Sequence, residues 1–205
     1  MKFTSAALVS TLAAAAVAAP APAPAPASEE STGGCAGEVI DKVNTFSGSM
    51  TSLDENIKSF KAEGLSSVPD LLKIQIGNMD LAQEVEDTAN KINECDNFND
   101  DDSAAVSATV LRVIPKIKRT LQDIQDKKNE FDHAILGIAS AGFVVEADLK
   151  LLKKNTDQLS SNLKDKSSDI ITDALDVLVK QIDGWFDKAI ETYKDDPIFH
   201  GKSDN

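Results

Sequence analysis

Residues 103–131, SAAVSATVLRVIPKIKRTLQDIQDKKNEF, decide the fold of this chain. Their larger apolar residues recur at spacings of three, four or seven, which places them on one face of a helix. Pro115 interrupts the segment, because its ring removes one helix hydrogen bond and clashes with the carbonyl of Leu111. We therefore predict a long helix on which the others pack, kinked and loosely packed near Pro115. Its apolar face comprises Val106, Val110, Ile114, Ile117, Leu121, Ile124 and Phe131.

Two amphipathic helices are predicted before this segment. The first covers about residues 38–61, where apolar residues follow one another at steps of four and three. The second covers about residues 67–92 and begins with Pro69 and Asp70, which suit a first helical turn. Their apolar faces comprise Val39, Val43, Phe46, Met50, Leu53, Ile57 and Phe60 in the first helix, and Leu72, Ile76, Met79, Ala82, Val85, Ala89 and Ile92 in the second.

Two more helices follow the central segment. The apolar face of the first runs from Val145 to Leu163. No segment shows the two-residue alternation of a half-buried strand. The sequence therefore predicts an all-α antiparallel bundle of about five amphipathic helices, covering residues 35–199. The apolar face of the last helix comprises Ile171, Leu175, Leu178, Ile182, Trp185 and Ala189.

An unusually apolar stretch, AILGIASAGFVV, occupies residues 134–145 between the third and fourth helices. Gly137 and Gly142 make this stretch a poor single helix. We expect it to form an apolar, mobile flap over the bundle. The candidate flap residues are Ile135, Leu136, Ile138, Phe143 and Val144.

The N-terminal residues differ in composition from the predicted bundle. Lys2 precedes an apolar run over residues 3–19, and residues 16–18 form a small-x-small site, which together make the pattern of a secretory signal peptide. The run is shorter than the roughly 20 residues that span a bilayer, which disfavours a membrane anchor. We predict a signal peptide over residues 1–18, a disordered Pro/Ala/Ser linker over residues 19–34, a polar tail over residues 200–205, and secretion.

Charge and cysteine usage narrow the function further. The formal net charge of the chain is −13, so nucleic acids and anionic membranes repel it. Cys35 and Cys95 are its only cysteines, and an oxidising compartment predicts one disulfide between them. The predicted hairpin of the first two helices brings both cysteines to the same end.

Catalytic and metal-binding motifs are missing from the sequence. His133 and His200 are the only histidines, and neither belongs to a nucleophile or zinc motif. Residues 96–102, DNFNDDD, lack the glycine and the alternating ligands of a calcium loop. We interpret them as a solvated loop in which Asp102 or Ser103 caps the next helix. We expect no enzymatic activity, no metal and no cofactor.

Binding of apolar material is the function class that remains. Loose packing near Pro115 and an apolar flap both favour a cavity inside the bundle. The candidate lining residues are those in the middle of the predicted apolar faces: Phe46, Met50, Leu53, Ile76, Met79, Ile117, Leu121, Leu152, Leu159, Leu178 and Ile182.

Two segments carry a resemblance to a known family. Residues 39–57, VIDKVNTFSGSMTSLDENI, and residues 148–163, DLKLLKKNTDQLSSNL, together with the Ala-rich signal, are similar to the fungal hydrophobic-surface-binding protein A (HsbA) family, which includes cell-wall galactomannoproteins. The resemblance implies a secreted helical bundle that adsorbs to hydrophobic surfaces or binds fatty acids, with cell-wall components or secreted hydrolases as further candidate partners. The chain lacks both an Asn-x-Ser/Thr sequon and a Ser/Thr-rich stalk, which argues against N-linked glycosylation and permanent wall attachment.

Two hypotheses on function follow. In the first, a secreted, non-enzymatic protein binds a lipid chain within the bundle, or a hydrophobic surface through apolar helix faces. In the second, a structural or antigenic fungal cell-wall protein has a fully packed bundle and acts through protein or glycan contacts. A gap-free core around Ile114 and Ile117 would favour the second hypothesis.

Overall fold

The structure is a computed structural model that describes residues 34–134 and 141–194. The predicted signal peptide, linker and tail lie outside the described residues, as do the candidate flap residues Ile135, Leu136 and Ile138. The described part confirms an all-α bundle with five long helices, and it adds one short helix. The helices are α1 (Cys35–Ser59), α2 (Val68–Glu94), α3 (Asp100–Asp126), α4 (Lys128–Asp132), α5 (Gly142–Lys166) and α6 (Asp169–Tyr193).

The five long helices form a closed ring, in the spatial order α1, α2, α5, α6, α3 and back to α1. Long helices that follow one another in the sequence alternate in direction, as the predicted antiparallel bundle requires. α1 and α2 are such a pair, and the Ser49 hydroxyl of α1 donates a hydrogen bond of 2.9 Å to the Glu84 carboxylate of α2. α5 and α6 are another, joined by an ion pair of 3.0 Å between Lys153 and Asp183.

Closure of the ring also places parallel helices side by side. Asn155 and Asn162 of α5 donate from Nδ2 to the carbonyl oxygens of Ala82 and Ala89 of α2, at 2.9 and 2.7 Å. Both pairs are 73 residues apart in the sequence, so α2 and α5 run in the same direction with a fixed register. α3 is likewise parallel to both of its neighbours, α1 and α6.

The predicted disulfide is present and staples the open end of the α1–α2 pair. Cys35 at the start of α1 bonds to Cys95 directly after α2, with their Cα atoms 5.8 Å apart. In the chain-entropy model, a crosslink between residues 60 apart in sequence stabilises the fold by about 4 kcal/mol. The disulfide thus confirms the antiparallel hairpin of the first two helices.

The central segment differs from its prediction in two details. α3 ends at Asp126 and a separate short helix, α4, carries Phe131, whereas one helix was expected over residues 103–131. The predicted helix cap at Asp102 or Ser103 was wrong, because the Asn99 side chain accepts a hydrogen bond of 2.8 Å from the Asp102 amide. The helix therefore begins at Asp100, and its first-turn carboxylates complement the positive end of the helix dipole.

An aromatic cluster closes the end of the ring at which α1, α3 and α6 finish. The rings of Phe60 and Phe131 stack with centroids 5.1 Å apart, and Tyr193 meets Phe131 edge-on at 6.2 Å. The buried Tyr193 hydroxyl donates to the carbonyl oxygen of Ile124 at 2.5 Å. This cluster joins the C-terminal ends of three helices through one shared apolar contact.

Candidate functional site

An apolar cavity, here called the axial cavity, lies along the axis of the helix ring. All five long helices contribute to its wall, and the volume that the centre of a water molecule can occupy is about 60 Å³. The cavity is therefore narrow. The lining residues are Phe46, Met50, Leu53, Leu81, Val85, Val110, Val113, Ile114, Ile117, Thr120, Leu121, Ile124, Leu152, Thr156, Leu159, Ser160, Ile182 and Phe186.

Most of the candidate residues named from the sequence meet in this cavity. Leu178 does not line the axial cavity. It lines a small neighbouring cavity that shares Ile114 and Ile182 with the axial cavity. The core around Ile114 and Ile117 is therefore not gap-free. The candidates that line the axial cavity are Phe46, Met50, Leu53, Ile117, Leu121, Leu152, Leu159 and Ile182.

The placement of Ile76 and Met79 at the cavity was wrong. Each side chain is 59% exposed and points away from the bundle axis. α2 instead buries Ile74 and Asn78 at this level, so a polar residue occupies the inward position and an apolar stripe faces outward. The first turns of α2 carry apolar residues on two faces, and periodicity alone does not distinguish them.

Sequence reasoning also missed parts of the cavity wall. Phe186 was not singled out, because Trp185 beside it fits the helical spacing equally well. Thr120, adjacent to the predicted Leu121, is 6% exposed, and its hydroxyl has no hydrogen-bond partner. An unpaired buried hydroxyl costs stability, so Thr120 is a polar group in this apolar wall that is available to bond to a ligand.

Two further cavities lie in series beside the axial cavity, and each shares wall residues with the next. The inner cavity, lined by residues from α1 to α5, has a volume of about 30 Å³ on the same measure and shares Leu53 and Ile124 with the axial cavity. The side cavity, of about 180 Å³ on the same measure, shares Ile74 and Val145 with the inner cavity. We call these three neighbouring cavities, separated only by their shared side chains, the apolar route.

Two candidate flap residues lie at the outer part of this route. Phe143 and Val144, at the start of α5, both line the side cavity, and Phe143 is 40% exposed. Leu72 lines the same cavity from α2 and continues onto the surface. The described part of the predicted flap therefore contributes to the wall of the side cavity.

A single carboxylate lies along this route. Asp148 of α5 lines both the inner and the side cavities and accepts a hydrogen bond of 3.1 Å from Nε2 of Gln75. Burial raises the pKa of Asp148, although hydrogen bonds from Gln75 and Asn78 partly oppose that rise. Within the described residues that line these connected cavities, Asp148 is the one ionisable side chain.

An exposed apolar stripe, here called the outer face, flanks the opening of the side cavity. It consists of Leu72, Ile76 and Met79, which lie four and three residues apart on α2 and are more than half exposed. The spacing places all three on one side of the helix. The outer face is therefore an apolar surface continuous with the entrance to the internal route.

Features of other functional classes are missing from the described residues. His133 is exposed, its Nδ1 atom 2.8 Å from the carbonyl oxygen of Asn129, and it does not line the cavities. No group of three or more potential metal-binding side chains occurs in residues 34–134 or 141–194. Within the same ranges, no helix has the length and apolarity needed to cross a membrane.

Comparison with known families places this site in context. A family model described as hydrophobic surface binding protein A (HsbA) matches residues 36–165, which include most of the cavity wall. The chain belongs to the HsbA family. A search of curated proteins finds no match.

Solved structures show that other proteins share the fold of this HsbA member. Afmp4p in complex with palmitic acid is 23% identical with a TM-score of 0.72, over 78% of this chain and 99% of the other. Ligand-binding domain 2 of the Penicillium marneffei MP1 protein, complexed with multiple arachidonic acids, is 17% identical with a TM-score of 0.66, over 78% and 95%. Domain 1 of the same protein, complexed with arachidonic acids, is 15% identical with a TM-score of 0.65, over 77% and 95%.

Proposed function

We propose that this HsbA family member is a secreted binding protein for fatty acids and related lipids, and that the acyl chain lies in the axial cavity. The observation that carries the proposal is a cavity walled by all five long helices with almost entirely apolar side chains. The bound acyl chains named for Afmp4p and the MP1 domains, which share this fold, support it. Catalysis has no part in the proposal.

The energetics of burial suit such a ligand. Each methylene that leaves water for an apolar wall contributes about 0.8 kcal/mol, which favours long unbranched chains over small solutes. The cavity is narrow, so its side chains move apart as a chain enters, and part of the binding energy is used in that rearrangement. Ile117 and Leu121 flank the unpaired Thr120 hydroxyl, so this region offers both apolar contact and one polar partner.

Adsorption to hydrophobic surfaces is a second proposed function, and a separate observation favours it. Leu72, Ile76 and Met79 present their apolar side chains to solvent on one side of α2. Contiguous exposed apolar side chains typically mark an interaction surface. The outer face borders the side cavity, so a protein held by this face presents the entrance of its internal route to the material beneath it. Binding to cell-wall components or to secreted hydrolases stays a prediction that rests on the family resemblance.

The experiment for the cavity uses the purified protein with its disulfide intact. Mass spectrometry of an organic extract identifies co-purified lipid, and displacement of the neutral fluorophore N-phenyl-1-naphthylamine measures the affinity for added fatty acids. Leu121→Phe adds a ring at the centre of the cavity and is expected to weaken binding at least tenfold, about 1.4 kcal/mol. Ile117→Phe, at a half-buried lining position, is a second blocking variant.

Leu111→Phe is the matched control for the blocking variants. It makes the same substitution on the same helix at a side chain that is 46% exposed and outside the cavity wall. It should leave fatty-acid affinity unchanged. Absence of co-purified lipid and of any fluorophore displacement, or equal binding by Leu121→Phe and Leu111→Phe, would overturn the proposal.

A further inference from the structure

The position of Asp148 on the apolar route is unusual for a carboxylate. Its side chain lines the inner and side cavities, whose other lining residues are apolar except for the amides of Gln75 and Asn78. A carboxylate within an apolar wall loses hydration, which is costly unless charged or polar partners replace the lost water. Asp148 therefore occupies a place where an apolar or amide side chain would stabilise the bundle better.

No cation neutralises this carboxylate within the described residues. From α2, the groups that act on Asp148 are the amides of Gln75 and Asn78. On its own helix, the nearest turn carries Lys150, which is exposed and pairs with Glu146 at 2.6 Å. α1 and α3 contribute Leu53, Ile57 and Ile124 to the shared cavity wall, none of which is charged.

The charged residues of the short helix α4 are also engaged elsewhere. Lys128 pairs with Asp132 at 2.8 Å, and α4 contributes the ring of Phe131 to the inner and side cavities. Residues 135–140, ILGIAS, contain no ionisable side chain. Asp148 is thus an acceptor-rich, anionic group that faces an otherwise uncharged route.

We propose that Asp148, with the amides of Gln75 and Asn78, is the headgroup site of the lipid, and that it selects uncharged headgroups that donate an O–H hydrogen bond. This inference rests on the proposed binding of an acyl chain in the axial cavity. A hydroxyl or a protonated carboxyl donates to the Asp148 carboxylate. A deprotonated fatty acid brings a second negative charge into a wall of low polarity, where like charges repel strongly.

The geometry of the route fits a ligand with a polar end and a long chain. The side cavity lies beside Leu72 of the outer face and shares Asp148 with the inner cavity, which in turn shares the side chains of Leu53 and Ile124 with the axial cavity. A headgroup at Asp148 stays near the surface while the chain extends towards the axis. Burial also raises the pKa of Asp148, so a proton shared with a carboxylic acid headgroup is held more readily at mildly acidic pH.

The test compares 1-dodecanol with dodecanoic acid, whose chains are equal in length, by displacement of N-phenyl-1-naphthylamine at pH 8 and pH 5. In the unmodified protein, dodecanol is expected to bind more tightly than dodecanoate at pH 8. The difference should narrow at pH 5, because carboxylic acids with a pKa near about 4 to 5 are then partly protonated. Asp148→Asn is expected to shift the ratio of the two affinities at pH 8 towards dodecanoate by about tenfold.

The control is Asp173→Asn on α6, which removes one negative charge from an exposed position. It should leave the ratio unchanged. If both probes bind but Asp148→Asn leaves the ratio as it was, or Asp173→Asn shifts it equally, the headgroup assignment is overturned while binding in the axial cavity stands. If neither probe displaces the fluorophore, the proposed function itself fails, and the headgroup site with it.

Discussion

Asn155 of α5 donates a hydrogen bond of 2.9 Å from Nδ2 to the carbonyl oxygen of Ala82 of α2. Asn162 repeats the bond one heptad later, to Ala89, at 2.7 Å. Two amides at a seven-residue spacing therefore fix the register of two parallel helices that no short loop connects. The cavity wall depends on this register, because α2 and α5 both contribute to it.

Asn155→Asp should destabilise the fold by about 2 to 3 kcal/mol, because it removes the donor and directs a buried carboxylate at a carbonyl oxygen. The free energy of unfolding in urea measures the effect. Asn44→Asp, the same substitution at an exposed position of α1, should cost less than about 0.5 kcal/mol. Equal losses in the two variants would show that the α2–α5 register does not depend on this bond.

Thr120→Val should raise the free energy of unfolding of the ligand-free protein by about 1 kcal/mol, because it replaces an unpaired buried hydroxyl with a methyl group of similar size. Thr109→Val is the matched control. Thr109 lies on the same helix, is also 6% exposed, and donates its hydroxyl to the carbonyl oxygen of Ala105 at 3.0 Å. That variant should not be stabilised. A loss of stability in Thr120→Val would contradict the assignment of its hydroxyl as unpaired.

Asp148→Asn should stabilise the protein near pH 7, and its advantage should vanish near pH 3. Burial raises the pKa of Asp148 in the folded state, so the folded protein binds this proton more readily than the unfolded chain does. The cost of the charged carboxylate is therefore present at neutral pH, falls as the pH drops through the raised pKa, and is gone below the unfolded value of about 3.9. Urea unfolding of both proteins at several pH values measures the difference between their free energies of unfolding. A difference that does not change with pH would refute the prediction.

Paired substitutions Ile76→Gln and Met79→Gln should reduce adsorption to a hydrophobic surface, such as alkyl-coated silica, without loss of stability. Both side chains are more than half exposed, so the free energy of unfolding should change by less than about 0.5 kcal/mol for each. Val177→Gln replaces a side chain that is 70% exposed on α6 and should leave adsorption unchanged. If all variants adsorb equally, the outer face is not the contact surface.

Helical periodicity was sufficient for much of the architecture. Phe46, Leu121 and Ile182 line one cavity although they belong to three different helices, and each was named because it lies in the middle of an apolar face. The disulfide followed from the predicted hairpin and the expected compartment. These features depend on local spacing and on the number of cysteines, both of which are present in a single sequence.

The order of the helices around the ring could not be obtained in this way. An apolar stripe predicts that one face of a helix is buried, but it does not predict which helix covers that face. The parallel pairing of α2 with α5 is therefore known only from the structure, through the hydrogen bonds of Asn155 and Asn162. The same ambiguity led to the misplacement of Ile76 and Met79. Asp148 could not be singled out from the sequence either. It is one of many acidic residues, and only its position on the route makes it different from the others.

A ring with an odd number of helices cannot cancel its backbone dipoles. Three helices, α1, α3 and α6, finish at the end closed by the aromatic cluster, whereas two, α2 and α5, begin there. Since each helix terminus carries roughly half an elementary charge, that end bears one unmatched negative pole. Lys127 donates to the carbonyl oxygen of Phe60 at 2.6 Å, so a cation meets this pole. The opposite end has Asp100, Asp101 and Asp102 at the start of α3. The bundle is therefore electrically polar along its own axis, with counter-charges built into the sequence at both ends.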